Sequence, residues 1–339
     1  MYLLEFSFSQ YVFQCLLHSF IIAFVIEALL KIWREERPLL RLRFRLLVIL
    51  IPVLSFPLYQ LVYPQRGSFG FRRSLAIFDI NQWLLIGLGD GILVWHAALV
   101  LLGVVTAVFL LQEAIPILLA YLHREACKTI YKSGTIPKLD IVLEELKQKS
   151  SFAVPRLFLL TEEEPAIYTN GIRKSSINIS WSLIEVLDQE ELEGALAHEM
   201  AHIMRRDNTI DWVLLLFRFI MFYNPVALVE FRRIIHEREK LCDDIASSLT
   251  GKPLAFASSL IKVFRMARAN GFAHTPPQYS LGSRILSIVR NLESHSDRVR
   301  VEDRIIRMAR IKKSYNPSYP HIRLGITTLS LILFLFFVV

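Results

Sequence analysis

Apolar residues form long unbroken blocks near both ends of this chain, and in its middle they alternate with polar residues at short period. Residues 11–30 make a first run of roughly the 20 residues that a bilayer core requires, with Glu27 near its end. A short basic segment with Lys31, Arg34, Arg37, Arg41, Arg43 and Arg45 follows, and then a second run, 46–63, which Pro52 and Pro57 are expected to kink. The stretch 83–122 is too long for one straight span. Its first part, 83–94, is broken by Gly87, Gly89 and Asp90 and reads as interfacial or re-entrant; 95–118 reads as a third span. A last run, 324–339, predicts a C-terminal transmembrane helix within 322–339.

Between these blocks, residues 123–313 have the composition of a water-facing domain. Leu139, Val142, Leu143 and Leu146 recur at helical spacing within 136–150. Strands are expected at 157–161, 166–169 and 176–180, the last two as a hairpin around Asn170-Gly171, a dipeptide that tolerates positive φ. From Asp188 the pattern turns helical, with Asp188 as N-cap and Glu190 and Glu191 in the first turn. The pattern predicts an α-helical membrane protein (membrane domain 1–122) carrying an α+β domain (123–313).

Composition supports that division. The chain has 339 residues, 53% of them hydrophobic, and a mean hydropathy of +0.41, too apolar for an ordinary soluble protein. The net charge of +8 does not point to nucleic acid, since no motif reads bases or phosphates. The basic excess lies beside apolar runs, where it sets orientation. The segment 31–45 is the most basic short loop and is expected on the cytoplasmic side, with the N-terminus outside. Arg298, Arg300, Arg304, Arg307, Arg310, Lys312, Lys313 and Arg323 give the last run the same flank, and 298–313 reads as an interfacial anchor. The expected location is the cell inner (plasma) membrane, multi-pass, with the middle domain cytoplasmic. Cys15, Cys127 and Cys242 are odd in number and lack CxxC spacing, which argues against a disulfide framework or a cysteine metal site. The first run has no basic n-region or small-residue cleavage site and is expected to be a retained anchor.

Residues 194–208 read GALAHEMAHIMRRDN. On a helix, positions i and i+4 share a face, so His198 and His202 offer two imidazoles to one metal ion. Glu199 sits at the edge of that face, placed to take a proton from an attacking water. This is the HExxH arrangement of zinc hydrolases. A third ligand is required. Downstream, HEREKLCDD places Glu239 and Asp243 four apart, a ligand and a carboxylate that can hold a histidine's outer nitrogen. His236 and Glu237 compete as ligands within the same turn.

The strings EELEGALAHEMAHIMRRD and EREKLCDD resemble the membrane gluzincin metallopeptidases of the BlaR/MecR antibiotic-sensor type, related to CAAX-prenyl and HtpX-type endopeptidases. The resemblance covers about residues 120–290. It implies a gluzincin domain that binds Zn2+ through His198, His202 and Glu239, with Glu199 as general base and Asp243 behind the ligands. KLCDD leans toward the sensor type and PAIYTNG toward the endopeptidases. HTPPQYSLGSRI is similar to the His-Pro and Arg-Ile stretch of the endopeptidases, which implies Arg284, ahead of His274, as oxyanion stabiliser, although the spacing from Pro277 is longer here. The chain stops at its last apolar run, so no penicillin-binding sensor domain is expected.

If His202 and Glu239 bind one ion, the apolar run 210–229, interrupted by Arg218 and Pro225, cannot cross the bilayer once, and the chain between them is too short for two crossings. It is expected to be a membrane-associated helix. The function expected is a membrane-embedded zinc metalloendopeptidase that hydrolyses peptide bonds at the cytoplasmic membrane face in signalling. The alternatives are a membrane-protein quality-control or processing endopeptidase, and a catalytically inactive receptor or scaffold. Partners are a protein or peptide substrate and the lipid bilayer. The strand 176–180 is a candidate edge for substrate to add to. Asp207 reads as a charged residue near a helix end, with assistance to the site as the alternative, His236 as a surface or interface residue, His18 and His96 as satisfied polar groups, and Asp90 as part of an interfacial loop.

Overall fold

The computed structural model describes residues 2–89, 91–111, 115, 128–150, 152–160, 165–171, 175–269, 294–309 and 320–339. They fall into two units, Met1–Val108 with Leu215–Arg238 and Ser314–Val339, and Phe109–Leu214 with Glu239–Lys313. In chain order the main helices are α1 (Tyr2–Ile32), α2 (Pro38–Val62), α3 (Val94–Phe109), α4 (Pro137–Lys149), α5 (Gln189–Met204), α6 (Asp207–Ile220), α7 (Pro225–Thr250), α8 (Pro253–Ala269), α9 (Ser294–Ala309) and α10 (Pro320–Phe336). The strands are β1 (Gly87–Gly89), β2 (Ile92–Leu93), β3 (Lys128–Ile130), β4 (Arg156–Leu160), β5 (Ile167–Asn170) and β6 (Ser176–Ser180).

In the first unit, Ile22, Ile26 and Leu30 of α1 pack with Phe44, Val48 and Ile51 of α2 and with Leu331 and Leu335 of α10. Gln10–Ile32 and Pro38–Val62 are long and apolar enough to cross a membrane; α3 and Ile322–Phe336 are apolar but shorter. The third expected span is a described helix only to Phe109. The expected interfacial piece holds a tight antiparallel β1–β2 hairpin, with Gly89 and Gly91 at positive φ; Asp90 lies outside the described residues. His18 is a satisfied core residue, 3.1 Å from Ser55 Oγ and 3.0 Å from the Val338 carbonyl. Arg66 donates to the carbonyls of Leu335, Phe336 and Val338, the groups a helix leaves unpaired at its C-terminal end.

The basic segment is not a solvated loop to its end. Pro38 starts α2 eight residues earlier than the apolar run suggests, because proline suits the first helical position. Arg45 is therefore helical and 4% exposed, and pairs with Glu230 at 2.9 Å and Glu27 at 3.4 Å. The run 210–229 is likewise not one helix. Asn224 Oδ1 accepts from the amides of Val226 and Ala227, and Pro225 opens α7, so an N-cap followed by proline breaks the run into α6 and α7.

The second unit holds a four-stranded sheet in the order β3-β4-β6-β5, with β4 and β6 parallel and the other neighbours antiparallel. The 176–180 strand is thus interior, which overturns its reading as a substrate edge. Its Ile177, Asn178, Ile179 and Ser180 are all buried, whereas β5 alternates buried and half-buried residues, as a strand at the border does. The sheet, α4, α5 and α8 share one core that includes Leu139, Val142, Leu146, Ile177, Ile179, Leu196 and Phe256.

Helix α5 starts at the expected N-cap, Asp188, and the structure adds a capping box. The Asp188 carboxylate accepts from the Glu191 amide and the Glu191 carboxylate from the Asp188 amide, each at 2.8 Å. One turn before His198, Gly194 lets α8 come close: a Cβ there would lie 2.8 Å from Phe256 Cβ and 3.0 Å from its Cα. Phe256 stacks on the His198 ring at 5.2 Å. Gly194→Val is therefore expected to cost about 3 kcal/mol, the upper end for overpacking, because backbone must move. Thermal unfolding of the purified chain checks it; an unchanged Tm would contradict the packing.

Candidate metal centre

Helix α5 brings His198 and His202 to one face, and both are buried, with Glu199 between them 2% exposed. The two Nε2 atoms face each other at 3.2 Å. From α7, Glu239 reaches the same point: Oε2 is 3.6 Å from His198 Nε2 and Oε1 is 3.9 Å from His202 Nε2. The three donor atoms lie within 4.8 Å of one another. Two imidazole lone pairs this close repel unless a proton or a cation lies between them, and two imidazoles with a carboxylate are the donor set of catalytic zinc sites. The residues fit a divalent metal.

Carboxylates face the outer ring nitrogens. His198 Nδ1 is 3.1 Å from Asp243 Oδ1, and His202 Nδ1 is 2.8 Å from Asp207 Oδ2. A carboxylate can only accept, so each Nδ1 is placed to carry the hydrogen and each Nε2 the lone pair. Asp243 was expected in this place. For Asp207 the preferred reading as a charged helix-end residue is corrected in favour of the alternative: it is 1% exposed and braces a histidine. Arg206 explains this. At φ +56 it takes the left-handed conformation, ends α5 and turns the chain so that Asp207 folds back under His202. Cys242 Sγ adds to the pocket, 3.4 Å from His202 Nδ1 and 3.5 Å from Asp207 Oδ2, which makes His202, Asp207 and Cys242 a second convergent group that shares one histidine with the first.

Burial drives His198 down to about 4, against the pull of Asp243, so that it is neutral and free to ligate. Burial also opposes charge on His202, but Cys242, Asp207 and Glu239 outweigh it and raise its pKa. Burial pushes the Glu199 carboxyl up to about 8, with His202 and the Thr169 backbone amide opposing and Glu239 reinforcing. Its Oε2 is buried with no hydrogen-bond partner among the described residues.

Among the other sequence candidates, Glu237 does not join the group; its carboxylate accepts from Arg41 Nε at 2.8 Å. His236 is also outside the convergent set. Arg284 and His274 lie outside the described residues. Arg304 corrects an expectation. Read from the charge run as part of an interfacial anchor, it is 4% exposed and donates to both oxygens of Asp243 at 2.6 and 2.8 Å.

Comparison with known proteins places this geometry in context. Residues 92–288, more than half of the chain, match the family model described as BlaR1 peptidase M56. A protease HtpX homolog of Gemmatimonas aurantiaca is 25% identical over 195 residues, 48% of this chain and 68% of that protein. Homologs from Aquifex aeolicus (25% over 167 residues, 38% of this chain) and Acidiphilium cryptum (27% over 169 residues, 40%) are similar in the same way. The chain spans 55% and 58% of those two relatives' lengths.

Proposed function

The chain belongs to the BlaR1 peptidase M56 family, and from that membership we propose that it is a membrane-embedded zinc metalloendopeptidase of gluzincin fold acting at the cytoplasmic membrane face. The observation that carries the reading is the convergence of His198 Nε2, His202 Nε2 and the Glu239 carboxylate beside the buried carboxyl of Glu199.

In this reading His198, His202 and Glu239 hold Zn2+, with Asp243 and Asp207 orienting the two rings. Zinc, when bound, polarises a scissile carbonyl and makes water acidic enough to attack near neutral pH. Glu199 takes the proton of the attacking water and returns it to the departing amine nitrogen. A carboxyl held near neutrality by burial suits both transfers. The Thr169 amide fixes its orientation from β5, the strand at that end of the described sheet. A substrate segment would lie along β5 as an added strand. Arg284 remains the candidate for the oxyanion.

The membrane layout is part of the same proposal: several crossings, an inner-membrane location and a cytoplasmic catalytic domain, argued from the basic flanks at 31–45 and 298–323. Helix α6 exposes Ile210, Trp212, Val213, Leu216, Phe219 and Ile220, a surface suited to the bilayer interface. Substrates near the membrane follow from that. We read the role as regulatory proteolysis of a cytosolic protein or of the chain itself. The similarity to protease HtpX homologs favours a second reading, processing or quality control of membrane proteins. Trapping bound proteins on Glu199→Gln in membranes decides: soluble regulators support the first, membrane proteins the second, and a wild-type chain that cleaves nothing trapped contradicts both.

A further inference from the structure

Helix α9 is fastened to the ligand-bearing part of α7 by ion pairs along one face of each. Lys240 Nζ meets Asp303 at 2.8 Å, Arg304 meets Asp243, and Arg307 meets Asp244 at 2.7 Å. The outer two include partly exposed groups and are worth at most about 1 kcal/mol each. The middle pair differs in kind. Arg304 is 4% and Asp243 1% exposed, and stripping water from such ions costs several kcal/mol apiece, so helix docking alone would be served as well by apolar residues.

What an apolar pair cannot supply is direction. The guanidinium grips both Asp243 oxygens, and one of them, Oδ1, is also the oxygen 3.1 Å from His198 Nδ1. Its remaining nitrogen, Nη1, lies 3.4 Å from Glu239 Oε2. One side chain from α9 therefore touches the two α7 carboxylates that face His198, the one behind the ring and the one beside its metal-facing nitrogen.

We propose that Arg304 is a positioning residue of the metal centre, which locks the Asp243 carboxylate as acceptor for His198 Nδ1–H and sets the approach of Glu239 to the ion. This rests on the zinc reading above. Without Arg304, Asp243 would be a buried carboxylate free to turn, and His198 would lose the partner that keeps its Nε2 lone pair aimed inward. The planar fork matters: lysine offers charge at this position without two parallel donors.

The test uses the full chain in lipid nanodiscs, with zinc affinity read by chelator competition and the visible spectrum of the cobalt-loaded protein as a report on ligand geometry. Arg304→Gln is expected to weaken zinc by about 10- to 100-fold, the usual cost of losing an outer-shell partner, and to alter the cobalt spectrum. Arg304→Lys should recover part of the affinity, and Arg307→Gln, which loosens the same helix pair, should stay within about 2-fold of wild type. Should Arg304→Gln fail to fold, the charge-balanced Asp243→Asn/Arg304→Gln is expected to show the same weakening. Wild-type affinity and spectrum in either variant overturn the proposal, as does equal weakening by Arg307→Gln. A wild-type chain that binds neither metal overturns the zinc reading itself and this proposal with it.

Discussion

Replacing Glu199 by glutamine is expected to leave zinc content at the wild-type level while lowering peptide hydrolysis by about 10²- to 10⁴-fold, the range over which a positioned general base acts. The two halves of that result come from different features. Glu199 is not in the convergent set of His198, His202 and Glu239, so its replacement removes no ligand. Glutamine keeps the volume and an oxygen for the Thr169 amide, so the local fold should persist. What disappears is the ability to accept and return a proton. Metal analysis and cleavage of a trapped substrate, measured on the same preparation, separate the two. If hydrolysis survives within a few-fold, another group is the base; if zinc leaves with the carboxylate, Glu199 is a ligand.

His202→Ala is expected to abolish both zinc binding and cleavage. Changes behind the ligands cost about 10- to 100-fold in metal affinity, so the loss of a ligand should exceed that range. The substitution also empties a buried site, and the fold should bear it because Asp207, which loses His202, still has Arg205 Nε at 3.3 Å. The expected outcome is a folded protein with near-normal helix content by circular dichroism and essentially no zinc. Full zinc occupancy in this variant would contradict the assignment, and unfolding would show that Arg205 does not compensate for the lost imidazole.

Much of this site is legible along the chain because its information is local. Asp188 and Glu191 fix where α5 begins, and His198, Glu199 and His202 then fall on one face by helical geometry alone. Glu239 and Asp243 share a face of α7 for the same reason. Asp207 gives no such signal, since its place under His202 depends on a left-handed Arg206, a conformation that arginine seldom adopts. Arg304 is hidden differently. Its partner Asp243 is 61 positions away, and in a basic run flanking an apolar one it looks like an anchor. A faint cue exists in the charges: Asp303, Arg304 and Arg307 complement Lys240, Asp243 and Asp244 at matching helical spacing. Strand order is the clearest loss. Alternation marks which faces of 166–169 and 176–180 are buried, but nothing in it says that β6 slots between β4 and β5. The apolar runs locate helices well and their starts poorly, because Pro38 and Pro225, not the first apolar residue, set where α2 and α7 begin.

Zinc K-edge X-ray absorption on the purified, zinc-loaded chain tests the central claim most directly, since the two convergent groups differ in one atom type. An ion held by His198, His202 and Glu239 should show one zinc per chain in a shell of nitrogen and oxygen alone, with the outer-ring scattering of two imidazoles. A sulfur scatterer at about 2.3 Å would place the metal on Cys242 with His202 and Asp207 and would contradict the account.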